Sequence, residues 1–227
     1  MSKIFCMSDI HGCHNEFKQA LDLIRERLSS ENVRLVLLGD YIHVGPESHA
    51  VLDEIMSLQK RFGTDKIICL AGNHERLVTE EKLCGIASDR EPYGKAEDQK
   101  YLSWLKKLPN YYTDGNTIFV HAGIEEDAED EWELSTPDYY FTGKYPPSTG
   151  RFATGQKIVA GHVSTATISG DPGFHDIYYD GESHYYIDGD VFNSHTIPVL
   201  MVDTDTDQYY AVRRTGITLI KAYQEKN

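Results

Sequence analysis

Residues 35–45 read Leu-Val-Leu-Leu-Gly-Asp-Tyr-Ile-His-Val-Gly, and this stretch decides the fold. The apolar run over residues 33–38 is bounded by glycine, which predicts a strand that is buried on both faces. The strand ends at Gly39 and delivers Asp40 into a turn that contains glycine and proline. In α/β folds, ligands bind just beyond the carboxyl ends of such strands. Asp40 is therefore the first candidate for a functional residue.

Four other predicted strands end in polar residues of the same kinds. Residues 3–8 lead into Asp9-Ile-His11-Gly, residues 66–71 into Gly72-Asn73-His74-Glu75, residues 117–120 into His121-Ala-Gly123 and residues 157–160 into Gly161-His162. Between the first strands, residues 15–28 and 51–62 carry apolar side chains at helical spacing. This alternation of strand and helix with short links indicates parallel βαβ units. The five strand ends should therefore present Asp, His and Asn side chains.

The later part of the chain is less regular. Residues 75–108 are predicted to be mainly helical with a polar break, whereas residues 125–155 are rich in Pro, Gly and acidic side chains. This second segment is either a lid over the site or a solvated surface insertion. Alternating patterns then predict strands over residues 185–187, 199–203 and 208–213, the last two joined by a hairpin. The sequence thus predicts two mixed sheets that pack face to face with helices outside.

Composition limits the class of protein. The 227 residues fit one domain over residues 1–227, and a hydrophobic content of 40% indicates a globular chain. The net charge of −14 disfavours binding to nucleic acids and to anionic membranes. No apolar run approaches the roughly 18 residues that a membrane span requires. Without a signal-peptide pattern or a CxxC pair among the four cysteines, the sequence predicts a cytoplasmic protein with reduced thiols. It leaves the oligomeric state open.

The residue types at the strand ends are those of a site for two divalent metal ions. Such ions lie about 3.5–4 Å apart and are held by several ligands, usually with one shared carboxylate. Residues i and i+2 of an extended tip face the same way and can reach one ion together. The predicted ligands are Asp9 and His11 for one ion, Asp40 for both, and Asn73, His121 and His162 for the other. This mixed set suits Mn²⁺, Fe or Zn²⁺ better than Ca²⁺, and we expect Mn²⁺.

These motifs together resemble the series found in calcineurin-like metallophosphoesterases. The matching stretches are Asp9-Ile-His-Gly, Gly39-Asp40, Gly72-Asn-His-Glu75, His121-Ala-Gly, Gly161-His162 and Tyr186-Ile-Asp-Gly189. The first and third look most like the bacterial and phage-lambda-type serine/threonine phosphoprotein phosphatases. The resemblance implies an α/β/β/α sandwich, the dinuclear site described above and direct hydrolysis of a phosphoester. It also implies that His74 is the general acid.

The chemistry that the resemblance implies is hydrolysis by a metal-bridging hydroxide. A water that bridges two cations loses its proton near neutral pH and attacks phosphorus in line. His74, adjacent to a ligand without being one, would protonate the leaving oxygen. The implied substrates are phosphomonoesters, foremost phosphoserine and phosphothreonine in proteins. Two alternatives stay open: a small-molecule phosphohydrolase, for example of dinucleoside polyphosphates, and a catalytically weakened metal-binding regulatory protein.

The chain departs from the family pattern in its arginines and in one carboxylate. Where Gly-Asp-x-x-Asp-Arg-Gly is usual, residues 39–45 read Gly-Asp-Tyr-Ile-His43-Val44-Gly. The carboxylate that orients the acid histidine and an arginine that binds phosphate are therefore absent. A second family arginine is missing after Trp132, and Arg76 and Arg151 are the candidate substitutes. We expect intact metal binding with altered substrate binding.

Overall fold

The computed structural model describes residues 2–80 and 82–225 of the chain. In spatial order, the first sheet contains β11 (Gly216–Leu219), β10 (Gln208–Arg213), β9 (Leu200–Asp203), β1 (Lys3–Met7), β2 (Val33–Leu37) and β3 (Ile67–Cys69). Strands β1, β2 and β3 are parallel, because helical segments connect them. The other pairs are antiparallel, and the β9–β10 hairpin that the sequence predicted is confirmed. The sheet is therefore mixed.

The second sheet has five strands and is also mixed. In spatial order it contains β4 (Tyr111–Asp114), β5 (Thr117–Val120), β6 (Lys157–Ala160), β8 (His184–Tyr186) and β7 (Tyr178–Tyr179). Strand β6 lies parallel to β5 on one side and to β8 on the other. The two edge strands, β4 and β7, are antiparallel to their neighbours. Parallel strands whose carboxyl ends carry predicted ligands thus occur in both sheets.

Helices flank the sheets or cover their ends. They are α1 (His14–Asp22), α2 (Ser48–Phe62), α3 (Asn73–Thr79), α4 (Gln99–Leu105), α5 (Trp132–Ser135), α6 (Asp138–Gly143), α7 (Thr165–Ser169) and α8 (Val191–Ser194). Short 3₁₀ segments occur at Arg27–Ser29, Ala96–Asp98 and Glu126–Glu131. Across residues 2–80 and 82–225, none of the helices combines the length and the apolar character that crossing a membrane requires.

The apolar core forms layers because successive side chains of a strand point to opposite faces. Between the sheets, Ile4 and Val36 of the first sheet pack with Phe119 and Tyr185 of the second, and all four are buried. On the other face of the first sheet, β-strand residues such as Phe5 pack with the apolar faces of α1 and α2. The predicted α/β/β/α sandwich is therefore confirmed.

The segment of residues 125–155 covers the outer face of the second sheet. Its residues Trp132, Phe141 and Phe152 are buried against strands β5 and β6. A buried network joins the segment to β8, because His184 lies 3.0 Å from a carboxylate oxygen of Glu126 and 2.9 Å from one of Asp180. Burial lowers the pKa of His184, but hydrogen bonds to Asp180 and Glu126 outweigh it and raise that pKa to about 9.

Several predicted elements differ from the observed ones. The helix expected over residues 15–28 ends at Asp22, and the chain continues in turns whose N–H groups bond three residues back, as from Ile24 to Leu21. Ile24 and Leu28 stay buried, so the apolar spacing correctly identified the inward face. Between residues 75 and 108 only the end of α3 and the whole of α4 are α-helical. The sequence reading also missed the strands β4, β7 and β11.

Candidate metal centre and active site

The carboxyl ends of five strands bring the predicted ligands to one place. Asp9 and His11 follow β1, and Asp40 follows β2. Asn73 begins α3 directly after the third strand, while His121 and His162 follow β5 and β6 of the second sheet. The site therefore lies where the ends of both sheets meet.

Asp40 is at the centre of this cluster. Its Oδ2 lies 3.5 Å from Nε2 of His121, 3.6 Å from Nε2 of His11 and 3.9 Å from Nε2 of His74. Among the described residues, two groups have ligand atoms mutually within 4.8 Å: His11, Asp40 and His74 form one, and Asp40, His121 and His162 form the other. Asp40 belongs to both groups, which is the position expected of a shared ligand, although the first group contains the candidate acid His74 in place of the predicted ligand Asp9.

The remaining predicted ligands touch the same cluster. Oδ1 of Asn73 lies 3.0 Å from Nε2 of His121 and 3.0 Å from Nδ1 of His162. Oδ1 of Asp9 lies 3.8 Å from Nε2 of His11. The backbone N–H of His162 donates to the carboxylate of Asp9. All six predicted ligands are thus in contact with at least one other member.

The backbone at the strand ends is unusual for residues with side chains. Four predicted ligands, Asp9, His11, Asp40 and His162, have φ between 47° and 65°. Such left-handed conformations are sparsely populated by non-glycine residues and cluster at functional sites. This conformation turns the chain sharply at each strand end, which directs the side chains toward one another.

Glycine precedes the ligands Asp40, Asn73 and His162, and before the last two the backbone passes very close to a carboxylate. A Cβ atom at Gly161 would lie 2.1 Å from Oδ2 of Asp9, and one at Gly72 would lie 2.2 Å from Oδ1 of Asp40. No side chain fits at either distance. This close approach therefore explains why glycine occurs before Asn73 and before His162.

Among the described residues, no lysine or arginine forms an ion pair with either acidic ligand. Burial, and then the charge of Asp188, raises the pKa of Asp9 well above its usual range. Burial and the charge of Glu75 do the same to the pKa of Asp40. The ion pairs of Asp9 and Asp40 in the described part of the chain all involve histidine. This buried negative charge favours a bound cation.

The histidines of the cluster are held neutral by burial. Burial lowers the pKa of His11 to about 4 and that of His74 to about 3. It also lowers the pKa of His121 and of His162. A neutral imidazole keeps a free lone pair, which metal binding requires. Buried carboxylates that have no lysine or arginine partner among the described residues, together with neutral imidazoles, fit a site for divalent metal ions.

Glu75 has a structural role that the sequence reading did not assign. Its buried carboxylate accepts the backbone N–H of Asp40 at 2.8 Å, of Gly72 at 2.9 Å and of Tyr41 at 2.9 Å. These bonds fix the turn that carries Asp40 against the start of α3. The position of Glu75 in the Gly72-Asn-His-Glu75 motif was visible, but its backbone partners depend on the fold.

His43 contacts the candidate acid, at the position where the family has a carboxylate. Its Nδ1 lies 2.9 Å from Nδ1 of His74, and its Nε2 lies 2.8 Å from the carbonyl oxygen of Gly85. Because a carbonyl only accepts, Nε2 of His43 carries its proton, and burial lowers the pKa of the ring. Nδ1 of His43 therefore accepts the Nδ1–H of His74. The neutral hydrogen bond that the sequence allowed is present.

The two candidate substrate arginines lie away from the cluster. Arg76 forms an ion pair with Glu80 and donates to the side-chain oxygen of Asn110. Arg151 lines a separate cavity on the 125–155 segment, together with Glu126 and Lys144. Neither side chain lines the cavities that open on the predicted ligands or on His74.

Two cavities adjoin the cluster, and Val44 lines both. The first, of about 540 Å³, is bordered by His11 and His162. The second, of about 470 Å³, is bordered by His74 and by the exposed Arg90. Arg90 is a cation beside the candidate acid that the sequence reading missed, because it lies in an irregular segment without a motif.

Residues 2–196 match the family described as calcineurin-like phosphoesterase. The chain is 31% identical over 126 residues to the symmetrical bis(5'-nucleosyl)-tetraphosphatase of Nitrosospira multiformis, a match that covers 53% of this chain and 43% of that protein. It is 34% identical over 145 residues to the corresponding protein of Wigglesworthia glossinidia brevipalpis, covering 58% and 47%. The chain thus aligns with less than half the length of these curated relatives.

Solved structures share the fold at low sequence identity. A cold-active protein-tyrosine phosphatase of a Shewanella species has a TM-score of 0.67 and 15% identity, over 97% of this chain and 81% of that one. A protein assigned as a diadenosine tetraphosphatase has a TM-score of 0.58 and 17% identity, over 99% and 95%. At these identities the likeness concerns the architecture alone.

Proposed function

Because this chain belongs to the calcineurin-like phosphoesterases, we propose that it is a metal-dependent phosphoric ester hydrolase that acts on dinucleoside polyphosphates. The observation that carries the hydrolase part is the shared position of Asp40 in both groups of ligand atoms. The substrate part is supported by the curated relatives, which are symmetrical bis(5'-nucleosyl)-tetraphosphatases. Small-molecule hydrolysis, which the sequence left open as an alternative, is therefore preferred to the leading expectation of phosphoprotein hydrolysis.

The predicted ligands would hold two divalent ions, with Mn²⁺ as the expected metal and Fe or Zn²⁺ as alternatives. Bound there, such ions supply Lewis acidity toward phosphoryl oxygens and lower the pKa of water. Asp40 would contact both ions, with Asp9 and His11 on one side. Asn73 and the neutral imidazoles of His121 and His162 would complete the set.

His74 favours a substrate whose leaving group needs little help from an acid. Its Nδ1–H donates to His43, which leaves Nε2 directed toward the cluster. A carboxylate partner would stabilise the protonated ring, whereas the neutral His43 does not. Burial in addition lowers the pKa of His74 to about 3, which disfavours the second proton, on Nε2, that a general acid must give to the leaving oxygen. The phosphate of a nucleotide leaves readily without protonation, but the alkoxide of serine does not.

Arg90 gives the second cavity a positive side chain beside His74. A guanidinium binds phosphoryl oxygens through charge-assisted hydrogen bonds. A leaving group that itself contains phosphates would benefit from Arg90, whereas a serine side chain would not. Asp89 also lines this cavity and opposes an anionic group, so the support for a polyphosphate leaving group comes from Arg90 alone.

The proposal is tested by comparing substrates on the Mn²⁺-loaded protein. We expect kcat/KM for diadenosine tetraphosphate to exceed that for a phosphoserine peptide by at least about tenfold, equivalent to about 1.4 kcal/mol in the barrier. Asp40→Asn serves as the inactive control for contaminating phosphatases. A preference for the phosphopeptide would restore the phosphoprotein phosphatase reading, and hydrolysis of neither substrate would favour the regulatory alternative.

A further inference from the structure

The cavity of about 540 Å³ opens directly on the candidate metal centre, since His11 and His162 form part of its wall. Its volume lies within the range of roughly 300–1,000 Å³ that is usual for small-molecule sites. None of the proposed roles of the metal ligands, His74 or Arg90 uses the rest of this cavity. What it binds is therefore a separate question.

Large apolar side chains are exposed at this cavity. Tyr145 is 72% exposed and Phe192 is 53% exposed, and both line it. Tyr145 belongs to the 125–155 segment, whereas Phe192 lies on α8, so two unrelated parts of the chain each contribute an aromatic ring. Exposed aromatic rings from separate elements around one cavity are suited to a flat aromatic ligand, because such rings stack with favourable geometry.

The polar groups of the cavity suit hydroxyl groups better than phosphates. Asp188, Asp190, Ser164 and Thr167 contribute to its lining, which contains neither lysine nor arginine. The carboxylate of Asp190 is oriented by the side-chain amide of Asn193, which donates to both of its oxygens at 3.0 Å. A carboxylate repels a phosphate but accepts hydrogen bonds from the hydroxyls of a ribose.

We propose that this cavity binds the nucleoside of the half-substrate that carries the attacked phosphorus. The base lies against Tyr145 and Phe192, and the ribose hydroxyls face Asp190. The half that leaves occupies the second cavity, which His74 and Arg90 line. This inference rests on the proposed hydrolysis of dinucleoside polyphosphates and adds which residues select the substrate.

The assignment of the two halves follows from the position of the candidate acid. His74 lines only the smaller cavity, so the leaving oxygen lies on that side. A simple phosphomonoester has nothing to place in the aromatic cavity. A dinucleotide fills both cavities, which gives a physical reason for a preference that the metal centre alone does not supply.

The test compares Tyr145→Ala and Phe192→Ala with the wild type. For each we measure the ratio of kcat/KM for diadenosine tetraphosphate to that for inorganic tripolyphosphate, which has the same type of bond and no nucleoside. Loss of one stacking ring should lower this ratio by about tenfold, mainly through KM. Phe192→Trp, which keeps an aromatic ring, should have a ratio close to that of the wild type.

The matched control is Tyr139→Ala, because Tyr139 lies on the same 125–155 segment, is 64% exposed and does not line the cavity. We expect its ratio to equal that of the wild type. If Tyr145→Ala and Phe192→Ala both behave like this control, the nucleoside is held elsewhere and the inference is overturned.

Equilibrium dialysis with adenosine separates this inference from the proposed function. Wild type should bind adenosine, and both alanine variants should bind it at least about tenfold more weakly. Binding without any hydrolysis of the dinucleotide would refute the proposed activity while supporting the cavity assignment. Hydrolysis with no adenosine binding, or with equal binding by the variants, would refute the cavity assignment alone.

Discussion

Replacing Glu75 by glutamine should destabilise the protein and weaken its metal site. Oε2 of this carboxylate accepts from the N–H groups of Asp40 and Gly72, and Oε1 accepts from that of Tyr41. A glutamine oxygen placed at the first position keeps two bonds. The amide nitrogen then faces the Tyr41 N–H at 2.9 Å, so two donors oppose each other.

The magnitude follows from these three bonds. The Tyr41 N–H is left buried without an acceptor, which costs about 1–3 kcal/mol, and each of the two retained bonds exchanges a charged acceptor for a neutral one, which costs about 1 kcal/mol. We therefore expect the free energy of unfolding to fall by about 3 kcal/mol. With a slope of about 3 kcal/mol per molar urea, the unfolding midpoint shifts by about 1 M.

Urea unfolding followed by circular dichroism measures this shift, and titration with Mn²⁺ measures the accompanying loss of metal affinity. Glu80→Gln is the matched control, because Glu80 is exposed and pairs only at the surface with Arg76. That change should stay within about 0.5 kcal/mol. If Glu75→Gln were as stable as this control, the carboxylate would not be what holds the Asp40 turn.

Three further changes test other parts of the structure. Protonated His184 stabilises the fold, because its pKa is raised to about 9 from an ordinary 6.5. This stabilisation is complete below pH 6.5 and is lost as the pH rises through 9. Urea unfolding should therefore show a loss of about 2–3 kcal/mol across this window, and His184→Gln should remove the dependence; a wild type with equal stability at both ends would contradict it. His74→Asn should reduce turnover of a phosphoserine peptide by about 10²-fold, the low end for general acid catalysis because burial lowers the pKa of His74, and that of diadenosine tetraphosphate much less. Equal losses on both substrates would mean that His74 does not act on the leaving oxygen. His43→Asp combined with Val44→Arg should raise aryl phosphate turnover by at least about tenfold, or about 1.4 kcal/mol, with the descending limb of the pH profile shifted upward; unchanged activity at preserved metal content would mean that other residues hold the substrate.

The ends of the strands were predictable because each apolar run stops at a glycine or at a polar ligand. The pattern located Asp40 and the turn after it without any knowledge of strand order. The end of α1 was not predictable from spacing, because Ile24 and Leu28 remain buried whether the backbone is α-helical or in tighter turns. Edge strands such as β7, with two residues, are too short to carry an alternating pattern.

Site residues that act through the backbone or from distant loops were harder to find. Glu75 stands in a recognisable motif, but its role depends on N–H groups more than thirty residues away. Arg90 lines the same cavity as His74 and lies in an irregular segment, where the Gly85 N–H donates to the carbonyl of Glu91. Tyr145 and Phe192 are separated widely in sequence and meet at one cavity only in the folded chain.

Asp40 is proposed to serve two metal ions at once, and the metal content of the purified protein tests this role. Asn at this position can still accept the backbone N–H of His74 through Oδ1, so the turn is kept while the charge is lost. Elemental analysis after incubation with Mn²⁺ and desalting should find about two ions per wild-type chain and almost none in Asp40→Asn. Asp22→Asn, at an exposed surface pair, should bind like the wild type. A wild type without bound metal would refute the metal site, and an Asp40→Asn variant that retains two ions would refute the shared role of Asp40.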